Sequence, residues 1–290
     1  MQIDFDFISD VHLDFWVDEL NPQKEKFKKE IAKFIKEILK PKTSNILILA
    51  GDQGHYFNQD SELLIQLLKY YKHIVLVAGN HDMYLLGNRQ KKKYQFESEN
   101  RLLEMRRFCS EHDGLHYLNG NTIVIDGIRI SGTGMWHDES YGESIGVTAG
   151  EIRENWKNIM NDANLIYSDG KDTYTIPLAY SGHVKVPSFD PVAHFKKEQL
   201  KLKDIHDSHI IVTHYGPKVP MNLPDEYKTY ITSYFYFDGQ SDIERISPKY
   251  WVHGHTHSEI DEVYNDTNII CNPLGYPSEN THNEIQTRSV

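Results

Sequence analysis

Cysteine is scarce: Cys109 and Cys271 are the only two in 290 residues. Two thiols in a chain of this length make no disulfide framework, so a reducing, cytoplasmic setting is expected. Long apolar runs are missing as well. The longest, such as Ile46 to Ala50 and Ile74 to Ala78, fall far short of the roughly 20 residues that cross a bilayer, so no membrane partner is expected. The chain opens directly into Ile3-Asp4-Phe5-Asp6-Phe7-Ile8, without a basic region or a long apolar stretch, which speaks against a secretory signal. Positive charge is in deficit, with 31 Lys and Arg against 42 Asp and Glu and a net charge of −11. That balance argues against stable binding of duplex nucleic acid. It leaves room for an anionic substrate, because bound divalent cations reverse the local field of an acidic protein. Histidine, by contrast, is plentiful at 16, and its placement organises the rest of the reading.

Apolar periodicity gives a coarse order of elements. Ile3 to Ile8 reads as a strand, Pro22 to Lys40 as a helix stopped by Pro41, and Ile46 to Ala50 as a strand buried on both faces. Ser61 to Tyr71 reads as a helix, His73 to Ala78 as a strand and Glu97 to His112 as a helix. Thr122 to Ile125 and Ile128 to Ser131 form a hairpin around Asp126-Gly127. Ile210 to Thr213, Tyr250 to His253 and Asn268 to Cys271 return to strand pattern. Strands that first alternate with helices and then follow one another fit a layered α/β sandwich with mixed sheets. No internal repeat is visible, and the length suits a single domain over residues 1–290. The interval at about 134–207, with helices expected within Ile145 to Met160 and Val192 to Leu202, reads as a cap or insertion on that core.

Five segments share one layout, in which an apolar strand ends and metal-binding residue types follow. They are Asp10-Val11-His12, Gly51-Asp52, Gly79-Asn80-His81-Asp82, His214 with Gly216-Pro217, and Gly254-His255-Thr256-His257. In open α/β folds, sites form in the crevice beyond the strand ends, so such loops converge although they are distant in sequence. Asp10 and His12, like His255 and His257, alternate, which puts both side chains on one side of an extended backbone. Mixed imidazole and carboxylate donors suit manganese, iron, zinc, nickel or cobalt better than calcium, which prefers oxygen alone. A carboxylate can bridge two ions, and Asp52 is the natural candidate. Singly, each segment is an ordinary loop; the set, in this order and each time at a strand end, is not.

This ordered set resembles the calcineurin-like metallophosphoesterases. The resemblance runs from residue 10 to residue 257 and lacks none of the positions quoted. It implies a four-layer αββα sandwich with mixed β-sheets. It further implies two divalent cations, manganese foremost, one held by Asp10, His12, Asp52 and His257 and the other by Asp52, Asn80, His214 and His255. His81 would lie beside the substrate phosphate as a catalytic residue, with Asp82 holding its imidazole. The stretches at 131–136, 213–217 and 272–277 are similar to those of bacterial and phage members.

The function expected is hydrolysis of a phosphoester. Two cations roughly 3.5–4 Å apart share a water, lower its pKa and deliver hydroxide to phosphorus. The substrate is a phosphomonoester or phosphodiester, with a nucleotide or phosphoprotein foremost. The alternatives are a nuclease on single-stranded or end-structured nucleic acid, and a catalytically silent interaction scaffold. For the aromatics between Tyr227 and Phe237, a stacking wall is weighed against core packing, with packing favoured. Lys91-Lys92-Lys93 reads as a solvated turn and Trp136 as packing, while His55, His183 and His194 have no assigned role.

Overall fold

The computed structural model describes residues 2–168, 189–279 and 283–290. Its strands, in chain order, are β1 (Asp4–Ile8), β2 (Ile46–Leu49), β3 (His73–Leu76), β4 (Leu115–Tyr117), β5 (Thr122–Ile125), β6 (Ile128–Gly132), β7 (Ile210–Val212), β8 (Tyr250–His253), β9 (Ile260–Tyr264), β10 (Thr267–Cys271) and β11 (Gln286–Ser289). They form a five-stranded sheet in the order β11-β1-β2-β3-β4 and a six-stranded sheet in the order β5-β6-β7-β8-β10-β9. Both are mixed: β11 runs antiparallel to β1, and β5 and β9 are antiparallel to their neighbours.

The unbroken apolar run of β2 is explained by burial on both faces. Ile46 and Ile48 point between the sheets, where they meet Phe5, Phe7, Val75 and Val77 and, from the second sheet, Ile130, Val212, Val252 and Ile270. Leu47 and Leu49 point the other way, onto Phe27, Ile31 and Phe34 of the helix Glu25–Phe34 and Leu63, Leu64 and Leu67 of the helix Phe57–Leu67. On the outer face of the second sheet, Ile211, Trp251 and Ile269 pack against Phe195 and Leu202 of the helix Pro191–Lys203 and against Ile243 and Ile246 of the helix Gln240–Ile246. The result is the expected four-layer αββα sandwich. Each large aliphatic side chain buried in it contributes about 1.5–3 kcal/mol relative to exposure.

The first long helix runs to Phe34, widens into a looser turn over Ile35–Leu39 and stops at Lys40, whose φ is 49°, just before Pro41. The hairpin turns as expected on Asp126 (φ 50°) and Gly127 (φ 86°), the paired positive angles a two-residue turn needs. The second helix begins four residues earlier than expected, at Phe57. Its inward face opens with the buried polar residues Gln59 and Asp60, which hide the start from an apolar pattern. Between 134 and 207, the helix Ala149–Ile159 is started by a reciprocal Thr148 and Glu151 cap, and Pro191–Lys203 by the Asp190 carboxylate. His183 lies outside the described residues. No helix among the described residues is long and apolar enough to cross a membrane.

Candidate metal centre

β1, β2 and β3 are parallel in one sheet, and β7 and β8 in the other. The loops at their C-terminal ends bring together Asp10, His12, Asp52, Asn80, His81, Asp82, His214, His255 and His257. The backbone is strained to do so. Asp10, His12, Asp52, His255 and His257 all have φ between 44° and 71°, a region that costs non-glycine residues about 1–3 kcal/mol each. Cross-loop bonds hold them there: His12 N donates to Asp52 O at 3.0 Å, and His255 N to Asp10 Oδ1 at 3.0 Å. Gly79 is fixed by close approach, since a Cβ there would fall 2.0 Å from Asp52 Oδ1.

Three groups of donor atoms overlap: Asp10, His12 and His257; His12, Asp52 and His81; Asp52, His214 and His255. Within each, the atoms lie within 4.8 Å of one another. His12 Nε2 and His257 Nε2 are 3.0 Å apart. That is the spacing of two nitrogens set at a right angle around one cation with bonds of about 2.1 Å. Asp52 Oδ2 stands 3.8 Å from His12 Nε2 and 3.4 Å from His214 Nε2, so one carboxylate oxygen serves both imidazole groups. Asn80 Oδ1 is 3.1 Å from His214 Nε2.

The far side of the rings is tied down. His214 Nδ1 donates to Ala50 O at 2.9 Å, His255 Nε2 to Tyr234 O at 3.1 Å and His257 Nδ1 to Glu279 at 2.8 Å. The other nitrogen of each ring is thereby turned toward the cluster, as metal-binding histidines require. The charges fit a cation as well. Burial alone would raise the Asp52 carboxyl, but the charge and hydrogen bond of His214 outweigh it and hold Asp52 well below the usual range. Against its own burial, His214 is drawn up to about 9 by Asp52, and His257 is drawn up to about 9 by its hydrogen bond and charge pairing with Asp10. Two buried carboxylates thus recruit protons onto imidazoles where divalent cations would supply the same positive charge.

The partner expected for His81 differs. The Asp82 carboxylate does not hold the imidazole. It accepts the backbone N–H groups of Gly79 at 2.7 Å and Asp52 at 3.0 Å, joining the two loops. Residues 79–83 turn tightly here, with His81–Met83 as a single 3₁₀ turn, and this carries the Asp82 side chain back over its own loop. The His81 ring meets His55 Nε2 at 2.8 Å through Nδ1 and the Tyr276 hydroxyl at 3.3 Å through Nε2.

Residues 3–259 match the profile of the calcineurin-like phosphoesterases. The chain belongs to that family. Among relatives of this phosphoesterase, the uncharacterised protein L509 of Acanthamoeba polyphaga mimivirus is 25% identical over 286 residues, covering 94% of this chain and 91% of the other. In fold it is similar to the phosphopantetheinyl hydrolase PptH of Mycobacterium tuberculosis, with a TM-score of 0.66 at 15% identity and coverage of 100% and 96% of the two chains. It also resembles TT1561 of Thermus thermophilus, with a TM-score of 0.50 at 10% identity and 99% coverage of each.

Asp162 and Arg101 belong to no motif in the sequence, and Tyr276 lies in the similar stretch at 272–277 without a role assigned to it. Asp162 accepts from Asn80 Nδ2 at 2.8 Å and from the Tyr84 hydroxyl at 2.6 Å. Arg101 donates to His81 O at 2.7 Å and Gly54 O at 2.6 Å. Tyr276 stacks on His12 with ring centroids 4.5 Å apart. His55 stood directly behind the second motif, and that proximity was the one signal available for it. Other candidates lie outside the donor set, although the Tyr234 carbonyl and the Phe235 ring both touch His255. Tyr234, Tyr236 and Phe237 are buried, which bears out packing for them, and Trp136 packs on Tyr215. His194 meets Trp136 edge-on. The three lysines lie on a short helix, Asn88–Lys93, where Lys93 pairs with Glu104 and Lys91 stands over the Tyr167 ring.

Proposed function

We propose that this family member hydrolyses a phosphomonoester or phosphodiester of modest size with two divalent cations, manganese foremost. The observation that carries this reading is the shared carboxylate, Asp52 Oδ2 lying 3.8 Å from His12 Nε2 and 3.4 Å from His214 Nε2. Held by Asp10, His12, Asp52 and His257 on one side and by Asp52, Asn80, His214 and His255 on the other, two cations would activate a shared water and neutralise phosphoryl oxygens. The rest is done by the chain. Burial keeps the His81 imidazole well below its ordinary pKa, against the pull of Asp52. A phosphoester beside the ring brings the negative charge that favours the imidazolium. His81 then donates a hydrogen bond or proton from Nε2 to the leaving oxygen. Tyr276, whose hydroxyl burial pushes up, remains a donor at the same mouth. Beside it stands Phe15, 48% exposed and 4.7 Å from the Tyr276 ring. These rings offer a flat apolar rim that suits a substrate with a planar group, such as a nucleotide.

The test strips the protein of metal, restores Mn²⁺ and follows chromogenic phosphomonoester and phosphodiester substrates with wild type and His81→Ala. Metal-dependent turnover is expected, with a loss on the order of 10²-fold or more in the variant while both metals stay bound. Wild type that holds two metals and turns over neither ester would count against the reading. Labelled single-stranded oligonucleotides in the same assay separate a nuclease from a small-molecule esterase.

A further inference from the structure

An imidazole can present either nitrogen, so an acid of this kind works only when its tautomer and ring angle are set from behind. His55 Nδ1 lies 2.7 Å from Asp14 Oδ2, and the His55 backbone N–H donates to Asp14 Oδ1 at 3.0 Å. A carboxylate only accepts here, so His55 carries its hydrogen on Nδ1 and keeps Nε2 as an acceptor. That acceptor is 2.8 Å from His81 Nδ1. The two rings have centroids 4.8 Å apart and planes inclined by only 23°, so the contact fixes the angle of one ring against the other. His81 must therefore donate from Nδ1 and present Nε2 on the Tyr276 side. The backbones are clamped in step, because Arg101, only 4% exposed, bonds the carbonyls of both His81 and Gly54.

We infer that His55, backed by Asp14, is the positioning residue that sets the tautomer and orientation of His81, the part expected of Asp82. The inference rests on the reading of His81 as the acid, and the test separates the two. The metal-loaded wild type, His55→Ala, His55→Gln and His81→Ala are compared on an alkyl phosphoester, whose leaving group needs a proton, and on a nitrophenyl ester, which does not. His55→Ala should lower kcat on the alkyl ester about 10–100-fold, with far less effect on the nitrophenyl ester and an unchanged KM. Two metals per chain should remain. Glutamine at 55 keeps an acceptor oxygen within reach of His81 Nδ1 and should restore most of the loss. In ¹⁵N-histidine spectra of the metal-free protein, His81 should show the Nδ1–H tautomer in wild type and His55→Gln and lose it in His55→Ala. An equal loss on both esters in His55→Ala, or a preserved tautomer, would overturn the role of His55 while leaving His81 as the acid. A His81→Ala loss that ignores the leaving group would overturn the acid itself, and the inference with it.

Discussion

The Asp162 carboxylate accepts the side-chain amide of Asn80 at 2.8 Å, and this bond decides which end of the amide faces the cluster. With Nδ2 committed to Asp162, Oδ1 is the atom left 3.1 Å from His214 Nε2. An amide that flipped would offer hydrogens where a cation needs an oxygen. Asp162→Ala is therefore expected to weaken the site of Asn80, His214 and His255 by about 10–100-fold in metal affinity, as outer-shell losses do. Asp162→Asn keeps an acceptor and should lose less. Elemental analysis after dialysis at limiting Mn²⁺ gives the outcome: near one equivalent for the alanine variant, against two for wild type. Two equivalents in both would remove Asp162 from this role.

Asp52 makes the opposite prediction, because its carboxylate faces both imidazole groups. Asp52→Ala should empty both sites together, whereas Asp10→Ala should spare the group around His214. Titration calorimetry with Mn²⁺ distinguishes them. A single full-affinity site surviving in Asp52→Ala would mean that the carboxylate is not shared.

How much of this was legible in the sequence depends on which contacts are local. β2, β3 and β8 announce themselves because burial on both faces demands unbroken apolar runs, and the loops after them carry the ligand residue types. β11 was missed: Gln286-Thr287-Arg288-Ser289 has no apolar residue and exists as a strand only because β1 offers it an edge. β4 is only three residues long, and in β9 polar Glu262 takes an inward position while apolar Val263 faces outward, so neither shows a clear apolar pattern. In the site, residue type and spacing marked the donors but not the groups that orient them. Asp162 reaches Asn80 across 82 positions, and His55 displaced Asp82 through side-chain direction, which no spacing reports.

Gly79 tests whether the site's tightness is structural. A methyl added there would meet Asp52 Oδ1 at 2.0 Å, Asp52 Cγ at 2.7 Å and the Asp52 backbone nitrogen at 2.7 Å. One of these is main chain, so rotating a side chain does not relieve the clash. Gly79→Ala is expected to destabilise the fold by about 1–3 kcal/mol through overpacking and to lower metal affinity by displacing Asp52. Denaturant melts of the metal-free protein measure the first effect without the second. A midpoint equal to wild type would show that the loops have slack the structure does not reveal.

His137 carries a prediction about acid. It is wholly buried, with ring centroids 5.6 Å from Tyr234, 6.1 Å from Tyr215 and 6.5 Å from Trp156. Neither of its ring nitrogens has a hydrogen-bond partner among the described residues. Burial pushes its pKa down to about 3 from an ordinary value of 6.5. Between those limits the unfolded chain binds a proton that the folded chain refuses, so stability rises with pH through this window and is lost as pH falls below 6.5. At pH 5 the loss from this one group is about 2 kcal/mol. His137→Phe removes the titration and fills much the same space. Its unfolding free energy should fall less than that of wild type between pH 7 and pH 5, by about that amount. The other titrating groups are common to both proteins and cancel in the comparison. Identical pH slopes for the two would mean that His137 reaches solvent, or a proton, in the folded state.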